Sequence, residues 1–277
     1  MTFIDEQLIK FKQLIEEAIV AHGAAGKDSI IRSSVLINLI HDAIKKELID
    51  NHIDCQCIYP HFKETKPEIK LAGFLKQKDQ DVCVLPKNIE KNRRFIDWGP
   101  LKFQRKIDDY GDIYTTNTLV INIRSQMSSL AKNADTLFER TFAEAMNLHM
   151  KYPNIILGDV YLIPVYEYDD ESVKNNTVSF KNKVTDLEKY ISFFSSISGR
   201  SDETDEVYKY EKCALLIVDF NQTTPKLYTS SKELKDDGLI SPDFNIEYAS
   251  INFSSFIPDL LEIYDTRYIL SNILSKR

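Results

Sequence analysis

No stretch of the sequence stays apolar for anything near the ~20 residues a membrane-crossing helix needs. Glycine is scarce, eight residues in 277. None of them forms a GxGxxG, P-loop or GxSxG string, which counts against dinucleotide-binding, nucleotide-hydrolysing and α/β-hydrolase chemistry. The five histidines, His22, His41, His52, His61 and His149, are scattered without HxH or HExxH spacing. Zinc hydrolysis is therefore disfavoured. Cysteine is limited to Cys55, Cys57, Cys83 and Cys213, with no CxxC pair. Cys55 and Cys57 would share one strand face, but no third or fourth ligand stands nearby. All four read as buried thiols of a reducing compartment rather than as a zinc site. The N-terminus, MTFIDEQLIKFKQ, carries acids and no apolar signal core, so the expected location is cytoplasmic.

What is present describes a globular chain with a sizeable core. Hydrophobic residues make up 43% and charged residues 28%, ordinary proportions for such a protein. The net charge of -7 argues against broad nonspecific binding to nucleic acid. It leaves room for a local basic cleft. Residues 4–22 repeat apolar side chains at helical spacing, and GAAG at Gly23–Gly26 is expected to end that helix. Asp28 or Ser29 would cap a second helix to about Leu48. Residues 1–50 thus form an N-terminal helical layer. Residues 51–277 form an α/β core with C-terminal helices, continuous with that layer.

The core opens with β-rich stretches at Ile53–Tyr59, Glu68–Leu75 and Asp81–Leu85. A basic connection follows, with Lys87, Lys91, Arg93, Arg94, Lys102, Arg105 and Lys106 against only Glu90 and Asp97. Trp98 sits within it, either packed or free to stack on a base. The central unit comes next: a buried strand at Leu119–Ile123, a helix at about Asp135–Met150 and an apolar strand at about Ile155–Val165. Strand, crossover helix and strand build parallel or mixed sheets. Asp169–Lys183 reads as a polar loop, Val184–Ser198 as a helix and Gly199–Tyr208 as a mobile acidic loop. Cys213–Phe220 reads as a buried strand and Phe253–Leu274 as one or two closing helices. The expected fold is α/β, or α+β, with a central mixed sheet flanked by helices and an N-terminal helical pair.

Chemistry is expected where the first central strand ends, since open α/β sheets bind ligands beyond strand carboxyl ends. Arg124, Gln126, Ser128, Ser129, Lys132 and Asn133 are the densest donor set in the chain. They precede a helix N-terminus, where free N–H groups favour anions. The set is either a phosphate contact or a solvated capping loop. With Arg93, Arg94, Lys102 and Arg105 in the basic connection, it points to DNA, because phosphate neutralisation supplies most nonspecific affinity. Metal-dependent phosphodiester cleavage needs two or three carboxylates on adjacent strands, usually with a lysine nearby. Asp81 leads a buried strand and is the first candidate acid. Asn122 and Arg124 share a strand face as an acid-x-lysine pair would, although arginine stays protonated and cannot act as a base. Glu68-x-Lys70, with Asp54 upstream, is the alternative set. Asp108, Asp109 and Asp112 are further sources of an acid. Glu139 and Glu144 lie about 140° apart round their helix. Glu139 could reach a metal on the sheet, and both otherwise read as solvated.

The order of these pieces resembles Type II restriction endonucleases of the PD-(D/E)XK nuclease superfamily over roughly residues 50–220. The likeness rests on LVINIRSQ followed by SSLAKN, on a helix with ERTFAEAMNLH, and on LGDVYLIPV. It implies a restriction-endonuclease-like fold, Mg²⁺-dependent cleavage of double-stranded DNA and a homodimer. The carry-over places Asp81 at the first acid, Asn122 at the second and Arg124 at the lysine, with Asp81 and Asn122 as metal ligands and Glu139 assisting. Asn122 and Arg124 depart from the acidic and lysine consensus. Three alternatives follow: a variant site, a site carried by Asp54, Glu68 and Lys70, or a subunit that binds DNA or assembles without cutting.

Overall fold

The apolar stripe of Ile4, Leu8, Phe11, Ile15 and Ile19 ends before GAAG, and the helical backbone breaks there, at Gly23, as expected, but resumes at once. The computed structural model, which describes residues 1–275, carries one helix, α1 (Phe3–Arg32), through that stretch. The helix bends only at Gly23, where φ is 56° and ψ −135°. Ala24 and Ala25 are strong helix formers and leave that glycine alone to absorb the kink. Ser33 then caps α2 (Ser34–Asp50) through the Val35 N–H. The second helix therefore starts later than a cap at Asp28 or Ser29 would place it.

The alternating stretch after α2 is mostly not a strand. Asp54 accepts from the Gln56 N–H and starts a 3₁₀ turn at Cys55–Cys57, so only β1 (Ile58–Tyr59) pairs. There follow β2 (Ile69–Ala72), β3 (Gln77–Gln80), β4 (Val82–Val84), β5 (Arg94–Phe95), β6 (Ile107–Asp108) and α3 (Asp112–Thr116). The central unit is β7 (Leu119–Ser125), α4 (Leu130–His149) and β8 (Ile156–Pro164). The polar stretch expected as a loop instead holds β9 (Tyr166–Tyr168), α5 (Asp170–Lys174) and β10 (Phe180–Val184) at and around it. Then come α6 (Leu187–Ile197), β11 (Lys212–Asp219), β12 (Lys226–Leu227), α7 (Ser231–Asp236) and α8 (Phe256–Arg267).

The fold is mixed α/β. Six strands form one sheet in the order β1-β4-β7-β8-β11-β12. The β7–β8 and β8–β11 pairs are parallel, joined through α4 and α6, and the outer pairs are antiparallel. Period-two alternation sorts the side chains to two faces. Leu119, Ile121, Ile123, Ile156, Val160, Leu162, Ala214 and Leu216 pack against α1, α2 and α8. Val120, Leu157, Tyr161, Ile163, Cys213 and Leu215 pack against α4 and α6. Both faces are buried, so the central strands read as near-continuous apolar runs. Among the described residues no helix is long and apolar enough to cross a membrane. The four cysteines are free; Cys55 is exposed and the others are buried.

Candidate functional site

The face of the sheet beneath α4 is interrupted by a row of polar side chains. One step beyond the Val82–Ile121 pair, Asp81 comes level with Asn122, and Asn122 is in register with Asp159 on β8. Asp81 Oδ2 accepts from the Ile123 N–H at 2.8 Å, which ties the start of β4 to β7. Asn122 and Asp159 are 2% and 0% exposed. From above, α4 lowers Glu144, 4% exposed, onto the row. Its inner face, Leu130, Ala134, Thr141, Glu144, Ala145 and Leu148, follows the helical period, and Glu144 is the one charge on it.

Three cations answer these acids, the outermost being Arg140, one turn back on α4 and 3.5 Å from Glu144 Oε1. Arg124 on β7 bonds Glu144, donates to Thr141 Oγ1 at 2.7 Å and stands 3.6 Å from Asp159. Lys78, from the β2–β3 hairpin, reaches Glu144 Oε2 at 2.9 Å. Burial pushes the Asp159 carboxyl up to about 6, with Arg124 offsetting only part of it. Burial raises Asp81 as well, against the pull of Lys78 and the Ile123 N–H. Burial opposes ionisation of Glu144 too, but Arg124 and Lys78 overcome it and hold this carboxyl low. Two of the three carboxyls are thus raised and one is held low, and such a split is how a site separates protonated and ionised roles.

The row is also incompletely satisfied. Asn122 Oδ1, Glu144 Oε1 and both Asp159 oxygens are buried without a hydrogen-bond partner. Native interiors rarely leave such groups unpaired. Hard divalent cations take oxygen ligands of this kind, so the donor chemistry fits Mg²⁺. As the side chains stand, Arg124 and Lys78 occupy the centre of charge, and no three His, Cys, Asp or Glu among the described residues form a ligand group.

The other expected residues separate. Glu139 is exposed on the outer side of α4; the inward glutamate is Glu144, because only that position falls on the buried stripe. Gln126 does not offer itself to phosphate. It is buried, with its Nε2 on the Ser129 and Leu130 carbonyls and its Oε1 accepting from Tyr161 and Tyr190. Ser128 is half-buried and Lys132 exposed. The α4 N-terminus already holds an anion: Glu167 of β9 accepts from the Ser129 and Leu130 N–H groups at 3.2 and 2.9 Å. A cavity of about 410 Å³ opens beside it, lined by Lys132, Lys181, Lys183 and Lys189 along with Glu167 and Asp186.

Asp54, Glu68 and Lys70 do not converge. Asp54 pairs with Lys87, Glu68 with Lys66, and Lys70 with Asp79 across the β2–β3 ladder. In the basic connection Arg93 pairs with Asp109, and Arg94 with Asp112. Asp108 is buried and accepts from the Tyr110 and Gly111 N–H groups, a turn-forming role. Trp98 is packed, donating to the Gly73 carbonyl at 3.0 Å. Lys102 and Arg105 remain exposed. Asp159 and Lys78 are the site residues that sequence reasoning passed over, and Glu144, read from sequence as solvated, is the buried one of the two helix glutamates. The available signal was a lone carboxylate inside an apolar strand or stripe, where Asp and Glu almost never stand without a partner.

No family model, no curated protein and no solved structure matches the chain.

Proposed function

We propose that this chain is a restriction-enzyme-like endonuclease that cleaves double-stranded DNA with a divalent metal, as a pair of chains. The observation that carries the reading is the level row Asp81–Asn122–Asp159 across three adjacent strands, closed by Glu144 and charged by Arg124 and Lys78. Asp81, Asn122 and Glu144 would hold the metal, which supplies Lewis-acid activation of a phosphate oxygen and a more acidic bound water. Asp159, ionising at about 6, is matched to taking a proton from water near neutral pH. Arg124 presents a fork of donors suited to a phosphate. An incoming phosphate competes with Glu144 and Asp159 for that guanidinium, and its departure leaves the carboxylates free. Metal and DNA would then bind cooperatively.

The test is cleavage of mixed-sequence plasmid in Mg²⁺ or Mn²⁺. Wild type should cut, chelation should stop it, and Asp81→Ala and Glu144→Gln should each lower the rate by about a hundredfold or more. Intact plasmid under every divalent metal rejects cleavage. A second reading, a nuclease-fold subunit that binds DNA without cutting, is favoured by one feature: Arg124, which cannot act as a base, stands where lysine is expected and neutralises two of the acids. Salt-sensitive DNA binding without cleavage would select it.

A further inference from the structure

The connection between β5 and β6 carries a feature that the row beneath α4 does not use. Residues 102–106, Lys-Phe-Gln-Arg-Lys, are all exposed, and Phe103 is 80% exposed. Among the described residues no carboxylate lies within ion-pair distance of Lys102, Arg105 or Lys106, whereas Arg93 and Arg94 at the base of the hairpin are paired. Three cations without a carboxylate partner therefore lie in the same five-residue tip as an exposed aromatic ring, with the Lys102 ammonium 4.8 Å from the Phe103 ring centre, on a chain whose net charge is -7.

The tip is held in place from below. Ile96 and Leu101 are buried with Ala72, and Trp98 packs against them. Trp98 is itself fixed by the Gly73 carbonyl and by Arg94 and Lys151 over its ring, at 4.9 and 4.1 Å. Gly99 takes φ 51° so close to Phe74 that a Cβ there would stand 2.3 Å from its carbonyl oxygen. The hairpin is closed by Ile96 N–H to the Lys106 carbonyl, 3.0 Å, and by Gln77 Nε2 to the Ile107 carbonyl, 2.7 Å. Phe103, 80% exposed on an anchored hairpin with only the neighbouring Lys102 ammonium recorded over its ring, is a presented group.

We propose that this hairpin is a DNA-contact arm. Lys102, Arg105 and Lys106 grip phosphates on either side of a groove, and Phe103 enters between base steps. Basic side chains flanking an inserted aromatic or aliphatic wedge are how groove-binding proteins part a base step. The charge is complementary to a polyanion, and the ring has a π-face for any base. The proposal rests on the reading of the chain as a DNA-binding protein and adds to it the residues that touch the duplex away from the cleavage row.

The test measures binding of the full chain, with Ca²⁺ replacing Mg²⁺, to a fluorescent mixed-sequence duplex over a series of salt concentrations. A second duplex carries 2-aminopurine to report unstacking. Lys102→Ala/Arg105→Ala/Lys106→Ala should flatten the log–log salt slope by about three. Phe103→Ala should keep the slope, weaken binding about tenfold to a hundredfold, and abolish the 2-aminopurine signal that wild type gives. All four positions are exposed, so thermal melting of both variants should match wild type. Wild type that binds with a salt slope while both variants bind equally well overturns the arm and leaves the DNA reading standing. Wild type that binds no duplex even at low salt overturns both.

Discussion

Asp159 is fully buried on the central sheet. Its carboxyl is pushed up to about 6 because burial removes it from water and Arg124, at 3.6 Å, returns only part of that stabilisation. A raised acid pKa means that the folded chain binds the proton more tightly than the unfolded chain. Its contribution is neutral at low pH and grows destabilising as the pH rises from the unfolded value to the folded one. The cost sets in above the ordinary aspartate range and is complete above about 6, reaching on the order of 3 kcal/mol. Asp159→Asn should therefore match wild type near pH 4 and exceed its stability by about 2–3 kcal/mol at pH 8. Denaturant unfolding at the two pH values measures it. A difference that does not grow with pH rejects the assignment. A residue that costs stability at neutral pH is the kind retained for function rather than for folding. Its presence was legible in principle, as one acid in the apolar run IILGDVYLIPV. Its neighbours were not, because Arg124 meets it only through the β7–β8 pairing and Glu144 only through the packing of α4 on the sheet.

The start of α4 shows how far a local pattern can be read. The donor-rich run from Arg124 to Asn133 points to an anion at a helix N-terminus, and an anion is there. It is Glu167 from β9, more than thirty residues downstream, just before the stretch whose polarity suggests a loop. Spacing within a window carries no information about a strand that folds back from outside it. The same limit applies at Gln126, whose polarity suggests a ligand contact but whose partners are Tyr161 and Tyr190. Periodic stretches fared better: β7, α4, β8, α6 and β11 all lie where the apolar period puts them, because burial on one or both faces writes that period into the sequence. At this helix start, Glu167→Gln removes a full charge from two backbone donors and from the helix dipole. It should lower stability by about 0.5–1 kcal/mol, less at high salt. Its neighbour Lys181, which bonds Glu167 at 3.2 Å and Asp170 at 2.8 Å, then loses one of its two carboxylates at the cavity wall. Inorganic phosphate should stabilise Glu167→Gln against heat more than it stabilises wild type; equal stabilisation would show that the cavity takes no anion.

The two faces of the sheet are tied together at the end opposite that cavity, by one carboxylate. Glu211, just before β11, is fully buried. Its Oε2 accepts from the Leu157 N–H of β8 at 2.7 Å and lies 3.4 Å from His149 at the end of α4. Its Oε1 takes Arg267 of α8 at 2.8 Å and Arg200 at 3.2 Å. Arg200 is itself 0% exposed, at the head of a segment whose acidic composition suggests mobility. Burial works against ionisation of Glu211, yet His149, Arg267 and the Leu157 N–H hold its carboxyl low. The helix beneath one face and the helix beneath the other are therefore linked through a charge whose removal strands two arginines. Breaking such a set from one side costs about 3–5 kcal/mol, because the remaining charges stay buried without a counterion. Glu211→Ala should lose about that much in urea unfolding at pH 7, while Glu211→Gln, which keeps one oxygen to accept from Arg267 but turns an amide N–H₂ toward the Leu157 N–H, should lose less. Since the DNA arm and the polar row draw on neither arginine, duplex affinity per folded molecule should be unchanged in both variants. A Glu211→Ala chain that unfolds at the wild-type midpoint would mean the arginines find other partners and that the two faces are joined by apolar packing alone.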